Sequence, residues 1–237
     1  EEGDLQLPLL IVNNHLLFLD KKASSSGKIK PPTAEDLLNY YTPEQLRSHF
    51  LGLGLGIRSV GFQPKPLNPK ATERDADPVL KEGNLLSNVF NRAVRSCFYT
   101  VQKYCNGRIP VRAISEDVLN EARDTVLEYE LLMSKFEFHQ VMNLMDVYIR
   151  NINKYWSKNI RIADTEDDSE LRAQVLSDTF HMVKTAAELM HPIAPEGTEM
   201  ILEYLNLDES FWSWDNIFKT LYDLMPDPEN HDLKFLE

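Results

Sequence analysis

The sequence predicts a mainly α-helical protein: an antiparallel helical bundle preceded by a short strand-and-loop segment. Three observations predict it. From Pro78 to about Leu205, apolar residues recur at helical spacing in four successive stripes, each bounded by cap or break signals. The connections between the stripes are short, and amphipathic helices joined in this way bury their apolar faces against one another. Apolar runs short enough to be strands are confined to residues 1–30.

Composition sets the outer bounds. A chain of 237 residues, 43% hydrophobic and 26% charged, can bury a sizeable core and is not of disordered type. Its net charge of −12 argues against a general nucleic-acid coat, because phosphate binding needs Lys and Arg. Local basic faces remain available at Lys21, Lys22, Lys28 and Lys30, at Arg92, Arg95, Lys103 and Arg108, and at Lys154, Lys158 and Arg161. The two cysteines, Cys97 and Cys105, lack a metal-ligand spacing, so neither a zinc site nor a disulfide is expected. Free thiols suit a reducing, cytoplasmic compartment. No apolar run approaches the ~18 residues of a membrane span, and no signal peptide opens the chain. The chain begins Glu-Glu-Gly rather than with Met, which suggests a piece of something longer.

The elements follow in order. Leu5 to Val12 is apolar but interrupted by Pro8, so it is at best an edge strand, and Leu16 to Leu19 is a second short strand. Asp20 stops it, and a loop of lysines, hydroxyls and one glycine follows, Lys22-Ala23-Ser24-Ser25-Ser26-Gly27-Lys28. Such a loop can hold phosphate: lysines bring charge, serines bring O–H donors, and glycine lets backbone N–H groups turn inward. On composition alone a solvated connector is the commoner explanation. Thr33 caps a short helix reaching about Tyr40, and Thr42-Pro43-Glu44-Gln45 starts a stronger one buried through Leu46, Phe50 and Leu53. The alternating glycines of Leu51-Gly52-Leu53-Gly54-Leu55-Gly56 follow no strand and lack dinucleotide-binding spacing, so they end that helix. Arg58 to Asp77, with Pro64, Pro66 and Pro69, reads as a long connection.

The bundle then begins. Leu86, Phe90, Cys97, Val101 and Tyr104 form its first stripe, closed by Asn106-Gly107. Ser115 starts a second helix reaching about Lys135, with Val118, Leu119, Ala122, Val126 and Tyr129 inward. The third stripe runs from Phe138 through Val141, Met142, Met145, Tyr148 and Ile152 to Tyr155, and 164–168 is an acidic turn. A fourth helix spans about Ser169 to Met190; His191-Pro192-Ile193-Ala194-Pro195 breaks it before a short helix to Leu205. The tail from Phe211 carries Trp212, Trp214, Phe218, Leu221, Tyr222 and Phe235, too apolar to lie free in water; it is expected to fold back onto the bundle, a partner-binding patch being the alternative.

Five stretches resemble one family. Asn14 to Lys21 followed by Lys-Ala-Ser-Ser-Ser-Gly is similar to the approach and signature loop, KMSKS, of class I aminoacyl-tRNA synthetases. By position, Ala23 replaces Met and Ser25 the second Lys. Thr33 to Leu38 and Thr42 to Leu51 resemble the segment after that loop in methionyl-tRNA synthetases, and Leu85 to Arg95 resembles their first anticodon-domain helix. There an Asn and an Arg four residues apart read anticodon bases, and Asn91 and Arg95 match them. Glu188 to Glu196 is similar to the L-x-P-x-x-P junction late in such domains. One feature departs from the family pattern. After the Asn153-Lys154-Tyr155 segment a Pro-Trp pair is expected, whose Trp stacks on an anticodon base; Arg161-Ile162 stand there, and Trp156 lies too early, on the buried stripe.

The resemblance implies the C-terminal portion of a methionyl-tRNA synthetase or a close paralogue. Residues 1–57 would end the catalytic domain, 58–77 would be a linker, 78–207 the anticodon-binding bundle, and 208–237 a tail packed on it. It implies catalytic roles for Lys22, Ser24, Ser26 and Lys28, nucleotide binding by Lys22, Ser24, Ser25, Ser26 and Gly27, tRNA binding by Asn91 and Arg95, and no metal site. The intact ligase would use ATP with Mg²⁺, an amino acid and tRNA, and would involve neither membrane nor DNA. The rest of the ATP cradle is absent here, so this chain alone is expected to be inactive and to bind no cofactor. The rival expectation is a helical RNA- or protein-binding paralogue that has lost the reaction, a reading the altered loop and the missing Trp favour.

Overall fold

A computed structural model describes residues 10–22 and 30–234. Its first part is a small sheet with two short helices. β1 (Leu16–Phe18) pairs antiparallel with β2 (Lys21–Lys22) and parallel with β3 (Val60–Phe62), giving the order β2-β1-β3. The β1–β2 turn consists of Leu19 and Asp20, both at positive φ (48° and 63°), as a two-residue hairpin turn requires. Asp20 is held there, accepting from Gln63 Nε2 at 2.8 Å, and Gly61 leaves room for it: a Cβ would lie 3.0 Å from Asp20 Oδ1. β3 falls within the stretch read as a connection. Three residues, one of them glycine, show no alternation from which a strand could be recognised.

Both helix starts carry the reciprocal caps that their sequences announce. In α1 (Ala34–Leu38) Thr33 accepts from the Asp36 N–H while Asp36 accepts from Thr33; in α2 (Pro43–Gly52) Thr42 and Gln45 do the same. α2 ends in the glycine stretch, with Gly54 at φ 72°. Phe18, Leu37, Tyr41, Leu46, Phe62 and Val79 form the small core of this unit.

From Pro78 the chain is a helical bundle. α3 (Pro78–Asn84), a π-helical turn (Leu85–Phe90) and α4 (Asn91–Tyr104) follow one another without a break. The wider π turn places Leu85 and Phe90, five residues apart, both in the core. α5 (Glu116–Ser134), α6 (Phe138–Thr165), α7 (Ser169–Met190) and α8 (Pro195–Leu205) complete it. Two expectations need correction. Tyr104 is exposed rather than part of the first stripe: the buried line of α4 ends at Val101, and the Arg172 guanidinium lies over the Tyr104 ring at 4.4 Å. α7 is not one-faced, since every residue from 175 to 190 is buried. It is the central helix, packed against α4, α5, α6 and α8.

The tail folds back. Phe211, Ile217, Leu221, Met225 and Leu233 join the main core, whereas Trp214 and Phe218 stay about half exposed. Tyr222 donates to Pro110 O at 2.8 Å, the Leu233 N–H to Gly107 O and the Lys234 N–H to Tyr204 O. Arg108 pairs with Asp232 at 2.6 Å. No helix of the described residues is long and apolar enough to cross a membrane.

Candidate nucleic-acid interface

Two contacts fix how α4 and α6 lie. Asn153 Nδ2 donates to Val89 O at 2.8 Å, in the π turn just before α4. At the other end Arg172 spans Tyr104 and Asp164, joining the ends of α4 and α6. The two helices therefore run side by side in the same direction, residues 91–104 next to about 153–164. This is the geometry expected of the first and third helices of an up-down bundle.

This pair of segments is basic without being acidic. Residues 91–104 carry Arg92, Arg95 and Lys103 and no acid; residues 152–163 carry Lys154, Lys158 and Arg161 and no acid, and Asp164, which follows at the far end, is paired with Arg172. All six side chains are exposed, and among the described residues none of them makes an ion pair. In a chain of net charge −12 such a face concentrates the positive potential that a polyanion needs.

Asn91 and Arg95 sit on it, both exposed, one turn apart on α4. The Asn91 amide has only a long 3.5 Å contact to Ser87 O, which leaves its donors and acceptor free for a base edge. Arg95 donates to Tyr99 Oη at 3.4 Å and lies over the Tyr99 ring at 5.6 Å. Trp156 is buried, at 8% exposure, as its place on the stripe implies, and Arg161 and Ile162, both exposed, stand where the Pro-Trp pair was expected.

Behind the face lies a node that the sequence did not disclose. Asp178 of α7, fully buried, accepts from the Ser115 N–H (2.8 Å), Ser115 Oγ (2.7 Å), Tyr155 Oη (2.6 Å) and Gln174 Nε2 (3.1 Å). It fixes the start of α5 and the Tyr155 stretch of α6. Burial, then the Asp178 carboxylate, push the Tyr155 phenol up, so it stays a donor. Ser115, read as the start of the second helix, stands there but makes no side-chain cap; its hydroxyl serves Asp178.

Lys22, the first residue of the loop read as phosphate-binding, is exposed in β2, directed by the Leu19–Asp20 turn. Ser24, Ser25, Ser26, Gly27 and Lys28 lie outside the described residues. His191, expected to be packed or solvated, stacks on Trp212 with centroids 3.8 Å apart.

The described residues thus form a helical bundle with a basic face, joined to a small sheet in which β2 carries Lys22. No family model matches the chain. The chain is similar to methionine–tRNA ligases. It is 20% identical to methionine–tRNA ligase 2 of Bacillus cereus over 99% of its own length and 41% of that protein's. It is 27% identical to the Bacillus subtilis enzyme over 90% of its length and 32% of that enzyme's. It thus spans less than half the length of these curated relatives. Mycobacterium tuberculosis methionyl-tRNA synthetase bound by methionyl-adenylate shares the fold, with a TM-score of 0.73 at 19% identity over 92% of this chain and 41% of that one.

Proposed function

We propose that the chain is the tRNA-reading portion of a methionine–tRNA ligase-like protein, binding the anticodon region through the α4/α6 face. The observation that supports it most is the placing of Asn91 and Arg95 on the acid-free basic face. Lys and Arg meet phosphate, while Asn and Arg meet unpaired bases by edge hydrogen bonds and stacking. The proposed division is 1–57 as the end of a catalytic domain, 58–77 as linker, 78–207 as bundle and 208–237 as tail, with cytoplasmic location and no DNA partner.

In a longer protein that supplies the remaining ATP site, an amino acid carboxylate would attack the α-phosphorus of ATP, releasing pyrophosphate, and a hydroxyl at the tRNA 3′ end would then take the aminoacyl group from the adenylate, releasing AMP. Lys22 would stabilise the charge developing on the leaving pyrophosphate, helped by the hydroxyls of Ser24 and Ser26, with Lys28 supplying the charge that Ser25 lacks. Mg²⁺ would enter as ATP's companion. The test is tRNA affinity against salt. Asn91→Ala should relax anticodon preference, and Arg95→Ala should weaken binding with a salt slope shallower by ~0.7 for one single-strand phosphate contact. If both variants match the wild type and anticodon swaps make no difference, the reading is wrong. The second reading, a paralogue without the reaction, is favoured by Ala23, Ser25 and the Arg161-Ile162 pair. Normal aminoacylation by a full-length parent, lowered by Lys22→Ala, would exclude it.

A further inference from the structure

We infer that Tyr99 is the stacking platform for an unpaired nucleobase on this face. The inference rests on the RNA-binding reading above and names a part of that site which neither the resemblance nor the comparisons assign.

Tyr99 follows Asn91 and Arg95 at the same helical interval, so the three side chains lie along one line of α4. Its ring is 60% exposed, although the residues flanking its helix face, Phe98 and Val101, are buried. A tyrosine left open on an amphipathic helix spends apolar area on solvent without gaining core contacts. Arg95 lies beside it, with Nη2 3.4 Å from the hydroxyl and the guanidinium carbon 5.6 Å from the ring centroid, which places a cation next to an exposed aromatic surface. That pairing of π-face and cation recurs where single-stranded nucleic acid is bound: the base stacks and the cation meets the backbone. The surroundings carry the matching charge, since Arg92, Lys103 and Lys154 are exposed and unpaired by acids among the described residues. Trp156 cannot take the role, being packed in the core. A paired duplex would not fit the proposal, because its base faces are already stacked; the occupant is a single-stranded RNA loop.

The experiment measures binding of the whole chain to an RNA hairpin with an unpaired loop, beside a fully paired duplex of the same length and a set of hairpins with one abasic position in the loop. Tyr99→Ala should weaken hairpin binding roughly 5- to 150-fold at fixed salt, the range for one stacked base, and leave the salt slope unchanged. Tyr99→Phe, which keeps the ring, should bind as the wild type does. One abasic position should weaken the wild type but have no further effect on Tyr99→Ala, the non-additivity expected of partners in contact. Because Tyr99 is exposed, the alanine variant should keep its helical circular dichroism. If Arg95→Ala weakens hairpin binding while Tyr99→Ala binds as the wild type does, the RNA face stands and the platform is wrong. If neither variant differs from the wild type and the hairpin binds no better than the duplex, both fall together.

Discussion

At the scale of single residues, two buried groups on α7 make stability depend on pH in opposite senses. Burial, then the nearby Lys184 charge, hold His181 down to about 4. The unfolded chain therefore binds the extra proton between pH 6.5 and 4, and the stability present above 6.5 is lost as pH falls through that window. The loss at this site should reach about 3 kcal/mol, and His181→Gln should remove it in urea titrations at pH 4.5 and 7. His49, lowered by burial in the small core, should retain a smaller loss of the same sign. Glu188 behaves in the opposite way. It lies 2.8 Å from Lys184 Nζ, yet burial dominates and raises it to about 8. Its contribution should fall as pH rises from 4.5 to 8, and Glu188→Gln should flatten that limb. Asn91, Arg95 and Trp156 were legible because a helical face follows from spacing alone. Asp178 was not: Ser115 and Tyr155, two of its partners, lie 63 and 23 residues away in sequence.

At the scale of elements, caps were legible and junctions were not. Thr33 and Thr42 each cap the helix that their sequence announces, and Asp168, read only as part of an acidic turn, caps α7. Thr42→Ala should cost ~1 kcal/mol, read as a lower urea midpoint. The α2–α3 contact turns on Gly83, where a Cβ would come within 2.8 Å of the Gln45 side chain that completes the Thr42 cap. Gly83→Ala should cost about 1–3 kcal/mol through that crowding. The π turn escaped the sequence reading because inserting one residue per turn changes the phase of the stripe without changing its composition. It leaves Val89 O to accept from Asn153. Asn153→Ala should therefore destabilise by about 1–2 kcal/mol and weaken RNA binding without touching any base.

At the scale of the molecule, helical class and bundle were legible because four stripes have no other way to be buried. Of the sheet only β1 was, as the run from Leu16 to Leu19; β2 and β3 were not, since they are two and three residues long. How the two parts meet was also hidden: Glu44 of α2 accepts from the Gly197 N–H at 3.0 Å, capping α8 from 153 residues away. Glu44→Ala should loosen this contact, measured as faster hydrogen exchange at the α8 start with little change in α5.

The Lys184 amine, fully buried, donates to the Asn216 and Ile217 carbonyls, more than thirty residues further along the chain. A growing polypeptide makes α7 before those acceptors exist. Until they arrive the ammonium has Glu188 and no carbonyl partner, so the central helix cannot take its final place in a dry core. The bundle should therefore close fully only when the tail is present. A released chain truncated after residue 210 should be sensitive to protease within 169–190, and the whole chain should not.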